Sequence, residues 1–392
     1  MEKNIGGNGP SLEALKMQRS REKRLRRFRN LALLSLLLIL TVLLILPSIP
    51  TSEGNVIVLT MVYGSEKRGW IEAVTPLFQE WWREHHPNRT LEIHFIALGS
   101  RESMNQIILG WVKPVIWSPA SSVWIPLANY MWREEYGGKS VLVESWRPLV
   151  ASPVVIATWE RYAEEHNITG WDSVHRLAVS LDSDLKFAHT DPQLSNSGFM
   201  ALLMEVSAAA GCPTQNLTYE DLLREDVRLW LRGIEGRSVM YGESTGFLAD
   251  QATSSGPSGL NVFIVYENLI IEKNRQGEPM ARWDQRLVAV YPEEGVLMSD
   301  HPFCILNAPW VSEEQREAAE EFYNFLVLPE IQRIAMEHGF RPVNPEVELD
   351  PKVFSVENGV SAEIPSPILE APEDGRVLQS ITDLWLISRP GG

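Results

Sequence analysis

The chain has very little cysteine: two residues, Cys212 and Cys304, in 392. Neither stands directly after the apolar run near the N-terminus, so a lipoprotein anchor is not expected. An oxidising compartment would permit the two thiols to pair, but spacing alone does not bring them together. A disulfide and two separate buried thiols both stay open. The chain also lacks H-E-x-x-H, G-x-S-x-G and P-loop spacings. Those patterns would mark a zinc hydrolase, a serine hydrolase or a phosphate-cradling loop. His85-His86 is not a metal-ligating spacing by itself, and Asp182 with Asp184 lacks the loop pattern of a calcium site. There is no internal repeat and no low-complexity block. Neither catalysis nor a resident metal or cofactor is expected.

What the chain does have is a sharp break near residue 50. Residues 1–30 carry nine basic residues, Lys3, Lys16, Arg19, Arg21, Lys23, Arg24, Arg26, Arg27 and Arg29, against three acidic ones, a net +6. Leu31 to Leu46 then contains no charge, glycine or proline. With Pro47, Ser48 and Ile49 the run approaches the ~20 residues that span a bilayer as a helix. Positive flanks stay in the cytoplasm, so a transmembrane helix at 31–50 would leave the C-terminal part outside the cell. A cleaved signal peptide fits less well: the basic region is long and no A-x-A site follows. Three N-x-T triplets, at Asn88, Asn167 and Asn216, all lie beyond the anchor and suit an exported, glycosylated chain.

Of the total charge of −16, the basic segment leaves −22 for residues 31–392. So acidic a surface argues against nucleic acid, whose phosphates must be neutralised. The exterior length suits two domains. Val56–Val62 reads as a buried strand, with a helix from Trp70 to His85 after the Gly64-Ser65 turn. Leu91–Ala97, the 113–117 strand and the 185–190 strand repeat the order of strand, small polar turn, helix. That alternation predicts an α/β fold with a parallel sheet. Pro153 within 149–158 argues for an edge or crossing segment. The 260–266 run is a further strand, and 287–306 is β-rich. Ser312 with Gln315 reads as a capping box, opening a helix to Val327. A helix from Pro329 to His338 should end at Gly339, and an amphipathic segment covers 376–387.

The block APWVSEEQREAAEEFYNFLVLPEIQRIAMEHGFRPVNPEV (308–347) resembles the C-terminal region of extracellular solute-binding proteins. YPEEGVLMSDHPFCIL (291–306) is similar to the return crossing between lobes in that family, and DPQLSNSGFMALL (191–203) to the turn and helix that open the second lobe. The subtype it most resembles is the molybdate/sulfate-like, type II periplasmic-binding-protein fold. The D-x-S-x-S motif of fused von Willebrand A domains is absent. The resemblance implies an α/β, two-lobed fold with a hinge. It assigns 56–155 plus 300–345 to lobe 1, 156–299 to lobe 2 and the hinge strands, and 346–392 to a tail with a helix. It also implies capture of a small ligand by lobe closure, for an ABC-type importer in the membrane.

Candidate ligand residues sit in small polar turns before helices, where free N–H groups favour anions. They are Ser65, Ser100, Ser118, Ser121, Ser195, Asn196, Ser197, Ser244 and Thr245, with Tyr266 at a strand end. A plain N-cap or turn role is the alternative for each serine. This set favours an oxyanion. Glu66, Lys67, Arg101 and Glu267 beside these turns could select a charged ligand, although solvated surface is the plainer expectation. Ten of the 14 tryptophans lie between residues 70 and 171, and Trp117 and Trp124 flank the third turn. They keep a carbohydrate receptor open, although core packing is the plainer expectation. A surface sensor or interaction module with the same fold is a further alternative. Arg341 is expected to be structural, bonding carbonyls at a domain edge.

Overall fold

The computed structural model describes residues 56–391, apart from 139, 373 and 390. The basic segment 1–30 and the apolar run 31–50 lie outside the described residues. Among those described, no helix is long and apolar enough to cross a membrane.

Thirteen strands are described: β1 (Val56–Tyr63), β2 (Thr90–Ala97), β3 (Ile116–Ser118), β4 (Arg147–Pro148), β5 (Val150–Trp159), β6 (Phe187–Thr190), β7 (Ser238–Gly242), β8 (Val262–Tyr266), β9 (Leu287–Val290), β10 (Val296–Ser299), β11 (Pro302–Ile305), β12 (Arg341–Pro342) and β13 (Ile368–Leu369). They form two sheets, and the fold is a two-lobed α/β arrangement. The first sheet runs β2-β1-β3-β11-β4. The second runs β13-β10-β5-β8-β6-β7, with β9 and β12 also paired to β5.

β1 and β2 pair in parallel from Val56↔Thr90 to Tyr63↔Ala97. A parallel pair needs a crossover, and the helix Arg68–His85 supplies it. Its buried face is Trp70, Ile71, Val74, Phe78 and Trp82, the i, i+4, i+8 spacing of a core-facing stripe. Phe78 meets Phe322 at 4.7 Å and Phe325 at 5.2 Å between ring centroids. Those two rings come from the helix Glu313–Leu326, which starts at the expected capping box. Ser312 Oγ accepts from Gln315 N, and Gln315 Oε1 accepts from Ser312 N. Gly339 ends the next helix, Pro329–Glu337, at φ +82°, where a Cβ would lie 2.7 Å from the Asn268 carbonyl.

The chain passes between the sheets at Leu149, between β4 and β5, at Asp300 and His301, between β10 and β11, and a third time between β11 and β12. β5 is where the expectation for Pro153 needs correcting. The segment does cross, but it is not an edge: Pro153 faces Met298 of β10, and Val154 to Thr158 pair with β8. A missing N–H is tolerated at the end of a short ladder: β10 pairs only at Ser152 and Pro153, and β8 pairs from Val154 on the other side of β5.

The tail is not a loose appendage. β13 adds to the second sheet beside β10, and the helix Gly375–Ser388 buries Val377, Ile381, Leu384 and Trp385. Arg341 ties tail to core: its guanidinium grips Glu267 through two 2.8 Å bonds and donates to the carbonyls of Ser361 and Ala362. The expected carbonyl-bonding role of Arg341 is thus present. Glu267 is fully buried rather than solvated; a bidentate guanidinium makes that burial tolerable. Cys212 and Cys304 are both free thiols, the first half-buried and the second buried.

Removing one member of a buried ion pair strands the other, at a cost of about 3–5 kcal/mol. Arg341→Leu should therefore lose stability of that order in urea denaturation. Arg341→Leu with Glu267→Leu should recover much of the loss, because no buried charge is then left unpaired.

Candidate functional site

The carboxyl ends of strands in the two sheets face one another, and helices begin there from both sides. β1 leads through Gly64 into the short turn Ser65–Lys67, β2 into the helix Ser100–Ile108, and β3 into the turn before the helix Trp124–Tyr136. Opposite them, β6 leads to the helix Asn196–Ala210, β7 to the helix Thr245–Ser255, and β8 to the helix Glu267–Gln276. Crevices outside strand carboxyl ends are where open α/β sheets take ligands.

All ten candidate residues lie on these turns or strand ends, and most meet across or along the seam. Ser65 Oγ accepts from Gly246 N at 3.2 Å, joining the first turn to the opposite helix start. Ser197 Oγ sits 2.8 Å from Thr245 Oγ1 and 2.9 Å from Thr190 Oγ1, and Ser195 Oγ is 3.4 Å from Thr245 Oγ1. Asn196 is a hub: its Oδ1 accepts from Trp124 Nε1 at 2.7 Å, while its Nδ2 faces Tyr266 Oη at 3.0 Å and Ser299 Oγ at 3.2 Å. Arg101 N and Glu102 N both donate to the Leu194 carbonyl at 3.1 Å. A first-turn N–H pair of one lobe is thus satisfied by an oxygen of the other. Gly198 permits the close fit behind them, since a Cβ there would lie 1.8 Å from the Thr190 carbonyl.

The plain capping alternative holds for few of these side chains. Neither Ser195 nor Ser244 caps its own helix with its side chain. Ser100 Oγ reaches Ala120 N at 3.0 Å instead. Ser118 Oγ is buried without a hydrogen-bond partner. Ser121 alone shows ordinary turn chemistry, accepting from Val123 N at 3.3 Å. The tryptophan pair does not present a stacking platform. Trp117 and Trp124 are buried; Trp117 donates to Ser103 Oγ and Trp124 packs on Phe199 at 4.7 Å.

A family model described as bacterial extracellular solute-binding protein matches residues 59–341. The chain belongs to this family. Its members are the substrate-binding proteins of transporters, and this chain is a solute-binding protein for ABC-type transport. Solved structures share the fold at low identity. A periplasmic thiamin binding protein is 13% identical, covering 85% of this chain and 96% of that one, with a TM-score of 0.59. The periplasmic binding protein AfuA from Actinobacillus pleuropneumoniae, with fructose-6-phosphate bound, is 13% identical, covering 84% and 98%, with a TM-score of 0.56. A ferric binding protein from Campylobacter jejuni is 13% identical, with 84% and 98% covered and a TM-score of 0.52. Among curated proteins none matches the sequence.

Two features beside these turns escaped sequence reading. The first is a buried ionic cluster. Lys67 Nζ lies 2.7 Å from Glu66 Oε1 and 3.2 Å from His301 Nδ1, and all three residues are buried. Glu66 and Lys67 are therefore not solvated surface, because each shields the other from an apolar surround. Burial works against the Glu66 carboxylate, but Lys67 and the His301 hydrogen bond outweigh it and hold its pKa at about 2. Burial, then the Lys67 charge, lowers the His301 imidazole. That shift favours the neutral ring, whose Nδ1 faces both Lys67 Nζ at 3.2 Å and Glu66 Oε1 at 3.3 Å. His301 also has φ +40° at a crossing between sheets, a strained conformation for a side-chain-bearing residue. Its only sequence signal was its place within the β-rich stretch 287–306.

The second feature is an open polar pocket of about 400 Å³ beside Ser65, Ser244 and Gly246. It carries four carboxylates, Glu72, Glu243, Asp250 and Glu272, against Arg68 and Lys273. Lys273 is paired to Asp250 at 2.6 Å. Burial, with Asp250 and Glu72 adding to it and Lys273 opposing, raises the Glu272 carboxyl.

Because Glu66 is depressed in the folded state, its contribution to stability is full above its ordinary 4.5 and is lost as pH falls towards about 2. Thermal melts across that window should show this acid arm. Glu66→Gln should flatten it and lower stability at neutral pH by about 3–5 kcal/mol, by leaving Lys67 buried and unpaired.

Proposed function

We propose that this chain captures a small, positively charged or amine-bearing solute in the seam between its lobes and hands it to an ABC-type permease. The observation that carries the ligand class is the pocket beside Ser65 and Ser244, where four carboxylates face two cations and one of those cations is already paired. An excess of carboxylates in a concave, partly desolvated site attracts cations and repels anions. Lobe closure about the crossings at Leu149 and His301 traps the solute. Ser65, Ser100, Ser118, Ser195, Asn196, Ser197, Ser244, Thr245 and Tyr266 supply its neutral hydrogen bonds, with Ser121 holding its own turn. The apolar run 31–50 keeps the chain at the membrane with the lobes outside.

An oxyanion is the second reading. Its support is the convergence of helix starts on the seam. There the N–H groups of Arg101, Glu102 and Gly246 bond to oxygens of the opposite lobe, positions that ligand oxygens would take in an opened and reloaded cleft. Thiamin and ferric ion, named for two proteins of the same fold, are cationic and enter the test on that ground.

The test is a thermal-shift screen of the full chain in detergent. Thiamin, spermidine, ferric citrate, molybdate, sulfate, phosphate and simple sugars are the probes. A solute at 100 times its dissociation constant adds about 2.7 kcal/mol of stability. A cationic solute should raise the melting temperature, and Glu72→Gln or Glu272→Gln should weaken its binding by about tenfold, or ~1.4 kcal/mol. A shift with an oxyanion alone, lost in Ser65→Ala or Ser197→Ala, would overturn the cation in favour of the second reading. A shift with sugars alone would return the carbohydrate receptor. No shift with any probe would point to a surface sensor.

A further inference from the structure

A second buried polar cluster lies behind the seam, within the second lobe. His189 on β6, Glu205 in the helix Asn196–Ala210 and Glu235 at the end of the helix Glu225–Glu235 are all fully buried. One ligand atom from each lies within 4.8 Å of the others. Glu235 is well supplied with partners. Its Oε1 faces His189 Nε2 at 2.8 Å, and its Oε2 accepts from Tyr241 Oη at 2.7 Å and Trp385 Nε1 at 3.2 Å. Glu205 is not: both of its carboxylate oxygens are buried with no hydrogen-bond partner.

Neither protonation state satisfies Glu205 with protein groups alone. Ionised, it is a second buried anion beside Glu235, with no lysine or arginine paired to it among the described residues. Protonated, it holds a hydroxyl that makes no hydrogen bond in this arrangement. A divalent cation would balance both carboxylates. The histidine is already oriented for it. His189 Nδ1 lies 2.7 Å from the Thr190 carbonyl, so Nδ1–H donates there, and Nε2 is turned towards Glu235 Oε1 at 2.8 Å, where a bound cation would replace the proton held between them. Metal-ligating imidazoles are commonly held by that bond to a backbone carbonyl.

We propose that His189, Glu205 and Glu235 form a buried divalent-cation site, distinct from the solute cleft. One imidazole nitrogen and two carboxylates suit Zn²⁺ or Mn²⁺. Ligand bonds of about 2.0–2.2 Å require Glu205 to close slightly on the other two. The role is structural. Glu205 shares a helix with Asn196 and Ser197, and His189 precedes Thr190, whose hydroxyl meets Ser197. Trp385 brings in the C-terminal helix. A bound cation would pin these three elements together and so fix one wall of the cleft.

The test is metal analysis of the full chain, purified in detergent without chelator, followed by thermal melts after chelation and re-addition of Zn²⁺ or Mn²⁺. The expected result is about one ion per chain and a melting temperature that falls on chelation and recovers on re-addition. His189→Ala and Glu205→Gln should both lose the ion. Glu205→Gln preserves shape, so it carries the test if His189→Ala does not fold. Failure of wild type to hold or take up either ion, or an ion retained in Glu205→Gln, would overturn the site. Glu205→Leu gives an independent reading: greater stability than wild type would mean a neutral buried carboxyl with no cation, and loss of stability with loss of the ion would support the site.

Discussion

Helices that start on opposite sides of one seam leave backbone N–H groups pointing into it, and those groups must find acceptors. Much of the second half of this molecule follows from that constraint. The Leu194 carbonyl satisfies the first turn of the helix Ser100–Ile108, and Ser65 Oγ satisfies the start of the helix Thr245–Ser255. Small residues are required at such turns because the two lobes approach at backbone distance. Gly99, where a Cβ would lie 2.3 Å from the Leu194 carbonyl of the opposite lobe, shows how little room remains. Under the proposed reading, a solute entering the seam would compete with protein oxygens for the same donors.

Charge is placed where the chain passes between lobes. The Glu66–Lys67–His301 cluster abuts one crossing, and Glu267 with Arg341 joins the second lobe to the strand that leads to the tail. Buried ion pairs seldom add net stability over well-packed apolar groups, but breaking one is costly. At a hinge this asymmetry has a use. The pairs resist arrangements that separate their partners and tolerate rotations that keep them together.

Much of this architecture was legible before any coordinates. Branched strand residues in 56–62, the capping box at Ser312 and Gln315, and the stop at Gly339 each express a local preference that the fold obeys. The turns carrying Ser65, Ser100, Ser195 and Ser197 could be placed because strand, small polar turn and helix follow one another within a few residues. The charged residues beside them could not. Glu66, Lys67 and Glu267 look like solvated surface in sequence because their partners, or the groups that bury them, come from distant segments. His301 is 234 residues from Lys67, and Arg341 is 74 from Glu267. The cluster of His189, Glu205 and Glu235 was invisible for the same reason, having no local spacing to read.

The sequence by itself determined the element order, the α/β class, the acidic exterior and the family, because periodicity, capping and turn chemistry act over a few neighbouring residues. Tertiary structure alone decided which side chains share the seam and which carboxylates crowd its pocket. It also decided that Trp117 and Trp124 are core and that the two cysteines stay apart. Those outcomes depend on loop closure between remote segments, and burial and charge pairing follow from what is brought together, not from what is adjacent in the chain.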